Sequence, residues 1–84
     1  MTVKKHILSY LRLINECIGE PTFRTSDIQD LSYDWKEKYG RRLGSESSYE
    51  RAFRTLRTDN VISVKQIQRP PKQHQASWVL TNIT

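Results

Sequence analysis

The sequence has little of the chemistry that marks a small enzyme or a metal-stapled domain. It contains one cysteine, Cys17, so no disulfide can form within the chain, and only two histidines, His6 and His74, which lie far apart. A zinc site needs about four such ligands, and the three glycines are too dispersed to form a phosphate-binding loop. We therefore expect no metal, no cofactor and no catalytic centre, and classify the chain as a binding protein.

Long apolar runs are also missing. No segment approaches the roughly 20 apolar residues that a membrane-spanning helix requires. Lys4 and Lys5 precede the first apolar stretch, but Arg12, Asn15 and Glu16 interrupt it, and no cleavage site of small residues follows. These features predict a cytoplasmic protein with no membrane partner.

What the chain does contain is enough apolar surface for one small core. Of its 84 residues, 36% are hydrophobic and 10% are aromatic, and a disordered chain of this charge would have far fewer aromatics. A chain of this length is too short for a cleft between two lobes. The composition predicts a single globular domain over residues 1–84.

Positive charge is concentrated in the second half of the chain. The net charge is +5, and residues 1–40 contain six basic and six acidic residues, whereas residues 41–84 contain eight basic and three acidic ones. A basic surface attracts nucleic acid and gains affinity when counterions are released. The asymmetry indicates a polyanionic partner, or else a basic surface that merely keeps the protein soluble.

The first helical pattern extends from Val3 to Ile18. Apolar residues recur at spacings of four, three and four, which places on one stripe Ile7, Leu11, Ile14 and Ile18. Gly19 and Pro21 are typical signals for the end of a helix. Cys17 lies beside this stripe, so we expect it to be a buried or half-buried apolar residue.

A short β-prone segment, residues 22–24, separates this helix from a second one. Ser26 and Gln29 have the spacing of a capping box, which predicts that helix 2 starts there. Its apolar stripe consists of Ile28, Leu31, Trp35 and Tyr39, and Gly40 ends it. Four acidic residues at helical spacing are expected to form a solvated face and not a cation site: Asp27, Asp30, Asp34 and Glu37.

A third helix is predicted over about residues 47–59. Ser47 and Glu50 again have capping-box spacing, and one face of the helix carries Tyr49, Phe53 and Leu56. Residues 40–46 link it to helix 2.

Two β-prone segments, residues 61–68 and 76–81, predict a terminal hairpin around a loop at residues 69–75. The side chains expected to face the core are Ile62, Val64, Trp78 and Leu80. Ile67 breaks the alternation, which predicts a bulge or a second small contact near the loop.

Three helices, a short strand after the first and a terminal hairpin make an α+β pattern that resembles the winged helix-turn-helix family of small prokaryotic and phage regulators. The resemblance covers nearly the whole chain, and the segments that carry it are residues 23–28, 48–57, 60–62 and 78–81. It implies that helix 3 recognises DNA and that the 62–81 hairpin is a wing with its tip at residues 69–75. The 40–46 link is longer than the three or four residues of a tight helix-turn-helix.

The outward face of helix 3 has the side chains that DNA recognition requires. The helical period places outward Ser47, Ser48, Arg51, Arg54, Thr55 and Thr58, with Arg57 toward one edge. Arginine can donate two hydrogen bonds to guanine in the major groove, so we expect Arg51 and Arg54 to read bases. Arg54 could instead pair with Glu50 one turn earlier.

Further positive charge flanks this helix. Arg41 and Arg42 precede it and could clamp a phosphate, and the hairpin carries Lys65, Arg69, Lys72 and His74, which could lie over the backbone of double-stranded DNA or form a solvated loop. An alternative function is a protein-binding winged helix, because fold alone does not decide function. The contact would then be formed by the acidic edge of helix 2, or by Tyr10, Leu13 and Tyr33. These three side chains could instead widen the core or support a homodimer through helix 1.

Overall fold

The described part of the chain folds into three α-helices and a three-stranded antiparallel sheet. In the computed structural model, residues 1–17, 19, 21–68 and 77–83 are described. The elements in chain order are α1 (Val3–Cys17), β1 (Thr22–Arg24), α2 (Thr25–Tyr39), α3 (Glu46–Thr58), β2 (Ile62–Gln68) and β3 (Ser77–Ile83). In the sheet, β3 lies between β1 and β2. The predicted α+β class, element order and number of helices are confirmed.

The core forms where the predicted apolar stripes of the helices meet the sheet. Buried side chains come from every element: Ile7, Leu11, Phe23, Ile28, Leu31, Tyr49, Phe53, Leu56, Ile62 and Leu80. Phe53 is at the centre, with its ring edge-to-face to Phe23 and to Trp78 at centroid distances of 5.6 Å each. The α3 stripe is therefore fixed from both sides, which turns the opposite face of this helix to solvent.

Both predicted capping boxes are wrong. Helix α2 begins one residue early, with Arg24 at the N-cap and its backbone N–H donating to Asp27 Oδ2 at 2.8 Å. Helix α3 begins at Glu46, and the Oγ of the N-cap Ser45 accepts from the Ser48 N–H at 3.1 Å.

The second residue of each predicted capping box, Gln29 in α2 and Glu50 in α3, binds the other. Gln29 Nε2 donates to Glu50 Oε2 at 3.2 Å, which joins α2 to α3. These two side chains therefore form a contact between helices, whereas the capping-box spacing had assigned them to helix ends.

The terminal strands pair with two irregularities. Val64 lies opposite Leu80 and Gln66 opposite Trp78, and the register shifts between Gln66 and Gln68, so that Ile67 is unpaired and 49% exposed. This confirms the predicted bulge. A second shift, between Ser63 and Val64, was not predicted, and β3 extends to Ile83, beyond the predicted end at residue 81.

Two side chains expected in or beside the apolar stripes lie outside the core. Cys17 is exposed at the last residue of α1, so its predicted burial is wrong. Tyr39, at the end of the α2 stripe, is 54% exposed, and its ring contacts Trp35 at a tilt of 39°, with 4.2 Å between the ring centroids. Ile14 is half-buried, and Ile18 lies outside the described residues.

The link between α2 and α3 uses two glycines for different reasons. Gly40 has a φ of 80°, and its N–H donates to the Lys36 carbonyl at 2.7 Å, which ends α2 with a left-handed residue. Gly44 lies where α1 packs closely: a Cβ there would be 2.8 Å from Val3 Cγ2 and 3.2 Å from Ser48 Cβ. Gly44 thus permits the start of α1 to contact the start of α3.

We expect Gly44→Ala to lower the free energy of unfolding by about 1–3 kcal/mol, as overpacking does. The added methyl group must displace Val3, whose β-branched side chain has little freedom to move. Chemical denaturation followed by circular dichroism measures the change. Gly19→Ala is the matched control, since a Cβ there meets nothing within 4 Å; equal stability of both variants would contradict the close packing.

Candidate functional site

The solvent face of α3 presents two exposed arginines on one side of the helix. Arg51 and Arg54 are both exposed, with Ser47 one turn before Arg51 and Thr58 one turn after Arg54, also exposed. The opposite face is anchored by Tyr49, Phe53 and Leu56, as predicted. The buried stripe therefore holds this cationic face in a fixed orientation.

Arg57 lies at the edge of this face and belongs to the packing between α3 and the hairpin. Its guanidinium carbon is 4.7 Å from the ring centroid of Phe53 and 4.4 Å from that of Trp78. Burial, followed by the charge of Arg54, lowers the pKa of Arg57. Such cation–π contacts stabilise the joint between helix and strand. The predicted DNA-contacting side chain is thus held against two aromatic rings.

Three hydroxyl groups of α3, those of Ser48, Thr55 and Thr58, have partners in the helix or at its N-cap. Thr55 Oγ1 donates to the Arg51 carbonyl at 3.1 Å and Thr58 Oγ1 to the Arg54 carbonyl at 3.0 Å. Ser48 Oγ lies 3.0 Å from Ser45 Oγ at the N-cap. The other exposed polar side chains on this face are those of Ser47, Arg51 and Arg54.

The loop before α3 is organised around Tyr33 of α2. The Tyr33 hydroxyl donates to Glu46 Oε1, and the Arg42 guanidinium carbon lies 4.6 Å from the Tyr33 ring centroid. Arg41 and Arg42 are both exposed. The structure therefore positions Arg42 beside the first turn of α3, whereas Arg41 projects from the loop.

Of the four hairpin residues predicted to contact DNA, Lys65 lies among the described residues. Lys65 is exposed on β2, opposite Val79 of β3. The remaining predicted wing residues, Arg69, Lys72 and His74, lie outside the described residues, as does the loop that contains them.

A groove between the start of α1 and α3 was missed at the level of sequence. This α1–α3 groove has a volume of about 400 Å³ and is lined by Thr2, Val3, Lys4, Ser48, Arg51, Ala52 and Thr55. It places Lys4 on the same side of the molecule as Arg51. The available signal was a pair of lysines in a first helical turn that has no acidic residue.

On the side of α3 opposite its cationic face, His6 of α1 binds Tyr49 of α3. A hydrogen bond of 2.6 Å joins His6 Nδ1 and the Tyr49 hydroxyl, and the imidazole also contacts Trp35 edge-on at 5.1 Å between centroids. Burial lowers the pKa of His6, opposed by Asp34 and assisted by Lys38, and burial raises the pKa of Tyr49. His6 therefore connects α1, α2 and α3.

The lowered pKa predicts a loss of stability in mild acid. The folded protein binds a proton at His6 more weakly than the unfolded chain does, whose histidine pKa is about 6.5. The contribution of His6 is thus complete above pH 6.5 and is lost as pH falls below it toward the folded pKa. Denaturation midpoints between pH 7.5 and 5 measure this, and His6→Gln should give a flatter profile. Identical profiles for both proteins would contradict it.

A second groove lies between α1 and α2. This α1–α2 groove, about 410 Å³, is lined by Met1, His6, Ser9, Tyr10, Leu13, Leu31, Asp34, Trp35, Lys38 and Tyr39. Met1 and Leu13 are 63% and 59% exposed. Two of the three side chains predicted for a protein contact, Tyr10 and Leu13, thus lie together, whereas Tyr33 is engaged beside α3.

Within the described residues, no cluster of three or more histidine, cysteine or acidic side chains could hold a metal ion. No described helix is long and apolar enough to cross a membrane. Asp30, Asp34 and Glu37 are exposed on α2, as predicted, while Asp27 caps this helix.

In comparisons with known proteins, no family model, no curated protein and no solved structure matches this chain.

Proposed function

We propose that this chain is a winged helix-turn-helix domain that binds double-stranded DNA sequence-specifically, as a cytoplasmic transcriptional regulator without catalytic activity. Helix α3 enters the major groove, and the β2–β3 hairpin lies over the adjacent backbone. The observation that carries the proposal is the exposed pair Arg51 and Arg54 on a helix whose other face is anchored in the core. An α-helix fits the major groove, and arginine is the commonest reader of guanine there.

The arrangement of elements supports the same assignment. Strand β3 pairs with both β1 and β2, and β2 of the hairpin contacts α3. Arg57, packed on Phe53 and Trp78, fixes the hairpin relative to that helix. Lys65 then places a positive charge on the hairpin, where a backbone phosphate would lie.

The test is fluorescence anisotropy of a labelled mixed-sequence duplex titrated with the protein over a salt series. We expect affinity to fall linearly on logarithmic axes as salt increases, with a slope of about −0.9 for each phosphate contacted. Selection of a tight-binding duplex from a random pool would follow. Absence of binding at low salt would overturn the proposal.

A second candidate is a protein-binding module, favoured by the α1–α2 groove. Met1, Leu13 and Tyr39 expose large apolar surfaces around it, and such clusters mark protein contacts. Homodimerisation through this face is one form of that function. Sedimentation velocity over a range of protein concentrations, without DNA, measures whether the protein dimerises. A sedimentation coefficient that rises with concentration would indicate self-association, and a constant one would indicate a monomer.

A further inference from the structure

The α1–α3 groove combines positive charge from two helices that are distant in sequence. Lys4 of α1 and Arg51 of α3 both line it, and its other polar lining consists of the hydroxyl groups of Thr2, Ser48 and Thr55. No carboxylate is among the described residues that line it. Two cations without a counter-charge make a favourable environment for an anion.

Lys4 is not placed where it would stabilise the fold. Its side chain is exposed in the first turn of α1, a turn that has no acidic residue. The positive end of the helix dipole repels a cation at that position. The lysine therefore opposes helix formation slightly, which is understandable if it serves a contact outside the chain.

The backbone that carries Lys4 is held firmly against α3. Thr2 caps α1 by accepting from the Lys5 N–H at 3.2 Å, and its carbonyl accepts from the His6 N–H at 2.9 Å. Val3 packs in the space that Gly44 leaves beside Ser48. Since these contacts hold the backbone on both sides of the groove, ligand binding has to order the Lys4 side chain but not the helix that carries it.

We infer that the α1–α3 groove binds a backbone phosphate of the same duplex whose bases α3 reads, with Lys4 as the contacting side chain. This rests on the proposed function. A helix in the major groove is flanked by phosphates, and contacts to them come from elements beside the reading helix. Helix α1 is such a neighbouring element, and its Lys4 lines the same groove as Arg51. The DNA contact therefore extends from α3 onto the start of α1.

The test compares Lys4→Gln with Lys38→Gln in the anisotropy salt series. Both changes remove one exposed lysine charge, but Lys38 lines the α1–α2 groove. We expect Lys4→Gln to reduce the salt slope by about 0.9 and to weaken binding about eightfold at 0.1 M salt, equally for all duplex sequences. Lys38→Gln should match the wild type, and thermal unfolding of Lys4→Gln should occur at an unchanged or higher temperature.

The outcomes separate this inference from the function on which it rests. If Lys4→Gln retains the wild-type slope while alanine at Arg51 and Arg54 abolishes binding, the inference is overturned and the proposed function stands. Equal losses for Lys4→Gln and Lys38→Gln would also overturn it, because the effect would then depend on net charge alone. If the wild-type protein binds no duplex, both fail.

Discussion

Replacing Phe53 with alanine is expected to lower the free energy of unfolding by about 3–5 kcal/mol. Phe53 is 1% exposed, its ring meets Phe23 and Trp78 edge-to-face, and Arg57 covers it. The truncation removes these contacts together and leaves a cavity between α3 and the sheet. Since small domains have only about 5–15 kcal/mol of stability in total, this loss is a large fraction of it.

Urea denaturation followed by circular dichroism measures this change. Phe53→Leu should lie between the variant and the wild type, since it fills part of the cavity. Thr58→Ala, at an exposed position on the same helix, is the control and should change stability by less than about 0.5 kcal/mol. A Phe53→Ala protein as stable as this control would mean that α3 does not pack as described.

The double variant Arg51→Ala/Arg54→Ala should lose measurable binding to a selected duplex. Each arginine is expected to contribute about 1–3 kcal/mol on a cognate site, which together correspond to a large loss of affinity. Both side chains are exposed, so the fold should persist. Single variants should each relax specificity at one base pair, which anisotropy against duplexes with single substitutions detects.

Lys36→Ala/Lys38→Ala is the matched control for charge, since it also removes two positive charges and both lysines are exposed in the last turn of α2. It should retain affinity and sequence preference. If the double variant binds as tightly as this control, α3 does not read the bases, and the assignment of the recognition helix is wrong.

Periodicity predicted the elements well because each helix buries one stripe. Ile7 and Leu11 of α1 and Tyr49 and Phe53 of α3 are buried as their spacing indicated. Helix ends were predicted less well, because serines at positions 45, 47 and 48 each allow a cap for α3, and Glu50, which the local pattern assigned to that cap, binds Gln29 of α2. That contact joins residues 21 positions apart, so no local pattern contains it.

The candidate site was predicted in part for the same reason. The helical period identified Arg51 and Arg54 as exposed, since their orientation depends on α3 alone. It could not identify the packing of Arg57 on Trp78 or the position of Lys4 beside Arg51, because each depends on how another element packs against α3.

The most direct test of the account is a map of where DNA contacts the protein. Backbone amide resonances of ¹⁵N-labelled protein would be followed by NMR during titration with a duplex at low salt. The account predicts shifts on the exposed face of α3 around Arg51 and Arg54 and on the hairpin near Lys65, with the α1–α2 groove around Leu13 unchanged. Shifts confined to that groove, or none at all, would contradict it.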